Sequence, residues 1–311
     1  MYIPFSQSNF STKQLLKIFS EMGCVVDYKL VDYNSIIGVS NGLDNYDATV
    51  SYIDNVTDKN RESLNCNKSS VWICEKYVAE ENSINNYIAV EDPRASYIKF
   101  LNFLKKESCL KAFSNNNINC GISRNANIAT TAIMNDNVSI GDNTIIEHGC
   151  VIHGGVSIGS NCIIRANTVI GVDGIALYKS INGEVLRFPH VAGVKIGSNV
   201  EIGANTVVVR GAMSDTIVDN DSVIGNLCNI GHGVQIGSKS WISVGSSIGG
   251  NTKIGHYVSI GLGVNIKDNI FIDDFSSVGM GSVVVRDIGQ QQSVFGNPAK
   301  VVRPLKVGPK R

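Results

Sequence analysis

Five histidines occur in 311 residues, and their settings differ. His232 sits in CNIGHGVQIGSK, residues 228–239, directly after Ile230-Gly231. His256 follows Ile254-Gly255 in the same way, and His190 lies in FPHV. His148 and His153 stand five apart in EHGCVIHGG. A neutral imidazole takes up a proton near pH 7, which suits it to general-base work. It is also a common zinc ligand. A zinc site built on His148 and His153 would need a third histidine upstream, and residues 1–147 contain none. Borrowing one from His190, His232 or His256 demands a different geometry. The eight cysteines form no CxxC pair, which excludes a zinc ribbon, and no metal is expected. Several, such as Cys150 and Cys162, fall at apolar repeat positions and read as buried, reduced thiols.

What must hold these imidazoles is a repeat. An aliphatic residue recurs every six positions from Ile122 through Ile128, Met134, Ile140, Ile146, Ile152, Ile158 and Ile164 to Ile170. The period resumes at Ile196, Ile202 and Val208, then runs from Val218 through Ile230, Ile248 and Ile266 to Val284. Twenty-four hexads of this kind are the signature of a β-solenoid. Three hexads make one triangular coil. Eight coils stacked about 4.8 Å apart give a prism roughly 38 Å long. Each coil buries its aliphatic residues only against its neighbours, so the array is stable collectively. The repeat aims both His232 and His256 outwards and does not by itself distinguish them.

Two interruptions break the period. Between Ile170 and Ile196 lies GVDGIALYKSINGEVLRFPHVAGVK, about 20 residues more than a hexad needs, and four residues are inserted in VVRGAMSDTIV before Val218. Insertions leave a solenoid as surface loops, and such loops commonly build binding sites. Residues 1 to about 92 lack the hexads. There SIIGVS, DATVSYID, SSVWICEKYV and NNYIAVED read as short strands between polar turns. PRASYIKFLNFLKKESCLKAF reads as a helix with Pro93 near its start, and SNNNIN as the linker into the prism. The expected organisation is an α+β domain over 1–114, a parallel β-helix over 115–290 and a basic tail over 291–311. The 27 basic and 27 acidic residues cancel, so no global field draws the chain to nucleic acid or an anionic membrane. Neither a signal peptide nor a run of roughly 20 apolar residues is visible, so a cytoplasmic location is expected.

The hexads resemble those of the left-handed β-helix acyltransferases, which implies a left-handed prism, a homotrimer and active sites between neighbouring subunits. The stretch from GVDGIALYKS to GNLCNIGHGVQIG, with its long loop, RGAMSDT insertion and IGH hexad, is similar to the UDP-3-O-acylglucosamine N-acyltransferases of lipid A biosynthesis. GVSNGLDNYDATVSYIDNVTDKNRESL is similar to that family's uridine-binding segment. The resemblance covers about residues 30–290 and is strongest over 170–237.

The family's catalytic base falls on His232. An amine attacking a thioester must lose a proton, and the imidazole is suited to take it. The backbone N–H of Gly250 is implied as an oxyanion donor, with Asn269 where the family has a histidine as second donor. The family's aspartate seven residues before the base is Gly225 here. For the nucleotide, Tyr52 takes the first aromatic position around uracil, Asn55 matches a neighbouring amide, and Asp58 replaces the second aromatic. An ordinary strand tyrosine is the plain alternative for Tyr52. The acceptor sugar is expected near His190 and Asn226, with loop packing as the alternative for His190.

The ending VFGNPAKVVRPLKVGPKR is similar to the closing segment of coenzyme-A-dependent hexapeptide acetyltransferases. Lys300 and Arg303, within a basic tail, would meet the phosphates of coenzyme A; a solvated tail is the alternative. The first reading is therefore an acetyl-CoA-dependent N-acyltransferase acting on a nucleotide-linked amino sugar for surface polysaccharide or lipopolysaccharide, with no permanently bound cofactor. The second is the lipid A N-acyltransferase, using acyl carrier protein as donor. A third class, a non-catalytic β-helix scaffold, would expose regular ranks of threonine, whereas the outward positions here are irregular. The His148/His153 spacing is that of γ-class carbonic anhydrases, but the third histidine is missing.

Overall fold

The computed structural model describes every residue except 1, 7–8, 32–34, 42–46, 58–60, 62–63, 65–68, 108, 111–120, 136 and 303–311. The hexads close into a left-handed β-helix whose three faces are sheets of ten, eight and seven described strands. Successive coils pair in parallel: Ile230 lies beside Ile248, and Ile248 beside Ile266. One uninterrupted coil is thus 18 residues, and within such stretches a residue lies over those 18 before and after it; across the interruptions the step lengthens, as from Ile164 to Ile202 and from Val208 to Ile230. The ladder hydrogen bonds run along the prism, as from Gly231 N to Ile248 O at 2.9 Å.

Each hexad sends two side chains inwards: the aliphatic, and the residue two before it. Ile230, Ile248 and Ile266 are buried, and so are Cys228, Ser246 and Val264. The hydroxyls among these small residues would be costly to bury unpaired. They donate to a carbonyl in the next coil, as Thr144 does to Gly159, Thr206 to Gly225 and Ser240 to Gly255, each at 2.8 Å. Cys150, Cys162 and Cys228 fill the same slot as free, buried thiols; Cys66 and Cys120 lie outside the described residues. The third residue after most of these aliphatics turns the corner with a left-handed backbone, φ being +57° at Asn251 and +58° at Asn269. Asparagine and glycine tolerate that conformation best, which explains their recurrence.

The ladder runs past residue 290. Ser293–Phe295 pairs in parallel with Ser277–Val278, and Lys300–Val301 folds back antiparallel onto it. The expected boundary at 114/115 lies outside the described residues.

The N-terminal unit contains a six-stranded mixed sheet of β1 (Tyr2–Pro4), β2 (Val25–Lys29), β3 (Gly38–Ser40), β4 (Thr49–Tyr52), β5 (Val71–Cys74) and β6 (Tyr87–Val90), in the order β1-β3-β4-β5-β6-β2. Its helices are α1 (Thr12–Glu21), α2 (Lys76–Glu81) and α3 (Pro93–Lys106). The four strands read from sequence are β3 to β6, but the end of SSVWICEKYV turns into α2. Asp92 caps α3 by accepting from Ala95 N at 2.8 Å, and Pro93 opens it. Tyr97 of α3 donates its hydroxyl to Ser40 O at 2.8 Å, which fastens the helix to the sheet.

The two interruptions of the hexad period cluster with this unit, not with the prism: it comprises 1–116, 175–191 and 212–214. The long one is a structured antiparallel hairpin of Leu177–Lys179 and Val185–Arg187. Asp92 receives hydrogen bonds from Tyr178 OH and Ile181 N, both at 3.0 Å. Lys99 pairs with Glu184 at 2.9 Å, and Asn102 Nδ2 donates to Arg187 O at 3.3 Å. One acidic residue therefore caps a helix and anchors a hairpin that starts 85 residues later, at Leu177.

Candidate active site

His232 follows the strand Asn229–Ile230 at a corner of the prism. Its carbonyl accepts from Asn251 N at 2.7 Å, and Gly233, with φ +66°, donates to Thr216 Oγ1 at 2.9 Å, so the backbone is pinned on both sides. The ring is half-buried, with Nδ1 inside the protein. It leans into the next coil over Gly250. A Cβ on Gly250 would lie 2.5 Å from Nε2 and 2.6 Å from Cε1. Gly250 does not need a left-handed backbone; it is needed as the residue without a side chain. Burial pushes the imidazole pKa below its ordinary value, against a smaller upward pull from the Asp268 carboxylate. The shift favours the neutral ring, which can accept a proton.

His256 occupies the same phase and behaves differently. Its Nδ1 lies 3.0 Å from Ser238 N and 2.8 Å from Ser238 Oγ, so the ring leans to the preceding coil and staples a turn. His148 Nδ1 meets Thr131 Oγ1 at 2.9 Å, and His153 Nδ1 lies 3.5 Å from Asn135 Nδ2. Among the described residues no group of three His, Cys, Asp or Glu side chains is placed to hold a metal ion.

The amide N–H of Gly250 makes no backbone hydrogen bond among the described residues, while its carbonyl accepts from Asn269 N at 2.8 Å. Asn269 is a corner residue whose amide is engaged at both ends. Its Nδ2 donates to Asp268 Oδ2 at 2.6 Å, and its Oδ1 faces Asn251 Nδ2 at 3.4 Å. Asn226 is exposed, and its Oδ1 accepts from Ala204 N of the coil below at 2.8 Å. An aspartate at position 225 would meet backbone, since a Cβ there falls 2.7 Å from Val244 N.

Arg210, in the RGAMSDT insertion, is only 4% exposed. Its guanidinium donates to Gly154 O and lies 3.8 Å from Asp173, and burial lowers its pKa. Asp215 of the same insertion accepts from Gly193 N at 2.8 Å and pairs with Lys195 at 2.8 Å. Together these contacts fasten the ends of both interruptions to the prism.

In the N-terminal unit Tyr52 ends β4, half-buried, with its ring 5.0 Å from that of Tyr97. Burial raises its phenol pKa. Arg94, one helical turn before Tyr97, lies over the Tyr178 ring at 4.9 Å and bears electrostatically on Tyr52 and Asp54. Sequence reading missed Arg94 and Tyr178; the i, i+3 spacing of Arg94 and Tyr97 on α3 was the available signal. Asn55 is exposed, and Asp58 lies outside the described residues. His190, the candidate acceptor contact, is 1% exposed, so its ring is buried. Lys300 is exposed on the final strand, and Arg303 lies outside the described residues.

The bacterial transferase hexapeptide model, of six repeats, matches residues 137–171. The chain is a hexapeptide-repeat protein. Over 79 residues it is 37% identical to the UDP-3-O-acylglucosamine N-acyltransferase of Pseudoalteromonas translucida, covering 25% of this chain and 23% of that protein. The protein of that name from Coxiella burnetii is 33% identical over 85 residues, covering 27% and 25%. The hexapeptide-repeat chain thus aligns with about a quarter of the length of these curated relatives. Among solved structures, the UDP-N-acetylglucosamine acyltransferase from Campylobacter jejuni aligns with TM-score 0.49 and 18% identity, over 58% of this chain and 73% of that one. The Francisella novicida enzyme of that name aligns with TM-score 0.49 and 24% identity, over 58% and 67%. No helix among the described residues is long and apolar enough to cross a membrane.

Proposed function

We propose that this hexapeptide-repeat protein is an N-acyltransferase that acylates the amine of a UDP-linked, 3-O-acylated glucosamine. The observation that carries the reading is the seat of His232: a half-buried imidazole, its pKa lowered by burial, lying over a glycine whose N–H makes no backbone hydrogen bond among the described residues. The acceptor is the one named in the curated relatives, which favours this reading over a general surface-polysaccharide sugar.

The amine nitrogen attacks the thioester carbonyl carbon while His232 Nε2 takes its proton. The carbonyl oxygen becomes an oxyanion, which the Gly250 N–H stabilises. The C–S bond then breaks, and the imidazolium returns its proton to the leaving sulfur. The products are an amide and a free thiol. In this scheme Tyr52 stacks on the uracil and Asn55 hydrogen-bonds it, and a homotrimer supplies the cleft walls between neighbouring prisms.

The donor is an acyl thioester of acyl carrier protein or coenzyme A. The GNPAK ending, with Lys300 exposed, favours a second reading in which acetyl-CoA is the donor. The deciding experiment offers purified protein UDP-3-O-acylglucosamine and other UDP- and dTDP-amino sugars, each with acyl carrier protein thioesters or acetyl-CoA. Amide formation matched by thiol release is expected with UDP-3-O-acylglucosamine. Folded protein that acylates no nucleotide amino sugar with any donor would sink the reading and favour a scaffold.

A further inference from the structure

The aspartate that the family resemblance places seven residues before the base is absent, because position 225 is glycine packed against the next coil. A carboxylate stands elsewhere in the column of His232. The 18-residue coil stacks positions 232, 250 and 268 in one column at the same corner. The middle position has no side chain, and the His232 ring lies across it. Position 250 therefore contributes no side chain between the imidazole and residue 268, which is aspartate. The neighbouring Asn269 donates its Nδ2 to Asp268 Oδ2 at 2.6 Å, and Asn269 is itself fixed by its N–H to Gly250 O at 2.8 Å.

We infer that Asp268, two coils above the base, is its carboxylate partner and a positioning residue for the reaction, held in place by Asn269. The inference rests on the acyl-transfer reading for its catalytic consequence, but the coupling between the two residues does not. When His232 takes the proton of the amine it becomes a cation, and an anion along the column stabilises it. The other charged residues of that column, Arg210 and Arg286, are cations. Arg210, one coil below, is directed to Gly154 and Asp173, and Arg286 lies a further coil beyond Asp268. The Asp268 carboxylate bears electrostatically on the imidazole, and its effect opposes that of burial. Asn269 thereby acquires a task other than donating to an oxyanion.

The test is a titration of the ¹⁵N-labelled histidines by NMR in wild type, Asp268→Asn and Asp268→Glu, with His232→Gln to assign the resonance. Asp268 is exposed, so the isosteric change spares the core. The His232 midpoint is expected to fall by roughly half a pH unit in Asp268→Asn and to recover in Asp268→Glu. In the transferase assay the acid limb of kcat/KM should move down with it, and kcat should fall about tenfold, with KM for the nucleotide sugar unchanged. An unchanged His232 midpoint in Asp268→Asn overturns the inference, whether or not acyl transfer is observed. A moved midpoint with unchanged kcat removes the catalytic role, leaving electrostatic coupling alone.

Discussion

The imidazole of His232 occupies the space that a side chain at position 250 would fill. Replacing Gly250 with alanine puts a methyl 2.5 Å from Nε2 and must displace the ring. The backbone there needs no left-handed conformation, so the melting temperature should change little. Activity should fall about a hundredfold, the scale expected for misplacing a catalytic group by about 1 Å. An unaltered rate in Gly250→Ala would show that the seat of the ring does not matter.

His232→Ala should keep the fold and lose about 10²- to 10⁴-fold in kcat, the range typical of a removed general base. His256→Ala provides the control: it removes a turn staple to Ser238 and should cost a little stability but not activity. Thermal melts and initial rates on both variants separate the two roles.

The pH profile follows from the lowered pKa of His232. A base works only when neutral, so the rate falls as pH drops through its pKa. Because burial depresses that value, the acid limb of kcat/KM should lie below the ordinary imidazole value of about 6.5. A limb above that value would contradict the burial seen here.

Tyr52→Ala should weaken UDP binding about tenfold by calorimetry, through loss of a stacking surface, whereas Tyr52→Phe should bind nearly as wild type. Equal affinity in all three proteins would return Tyr52 to the status of a strand residue packed on Tyr97.

Asp92→Ala removes the cap of α3 and two anchors of the hairpin together. A loss of about 1–3 kcal/mol is expected, with earlier proteolysis between residues 177 and 187 by mass spectrometry. Asp92→Asn, which can still accept a hydrogen bond, should retain part of it.

The prism was legible because a six-residue period can be satisfied in only one way: each aliphatic must reach the axis. The N-terminal unit was legible where strands are short and apolar, as in β4 and β5. It was not where local signals are weak. α1 begins with a reciprocal cap between Ser11 and Gln14, a usable signal that went unread, whereas β1 and β2 owe their pairing to distant partners. His232 was singled out by its surroundings, since the repeat gives His256 the same phase. What separates the two rings is the direction each leans, and that depends on the residues 18 positions away, Gly250 above one and Ser238 below the other. Asp268 could have been found by counting two coils on from His232. Arg94 and Tyr178 could not have been paired, because nothing local links α3 to the hairpin.

The 18-residue coil also means that length in this molecule comes in quanta. Adding a whole coil after Val284 would extend the prism and leave every column beneath it intact. Adding a single hexad between His232 and Asp268 would keep every aliphatic pointing inwards, so the chain would still fold. But each later residue would move on to the next face, and the column of 232, 250 and 268 would be cut. A change of six residues could thus silence the site without unfolding the protein, while a change three times larger, placed beyond Val284, would not.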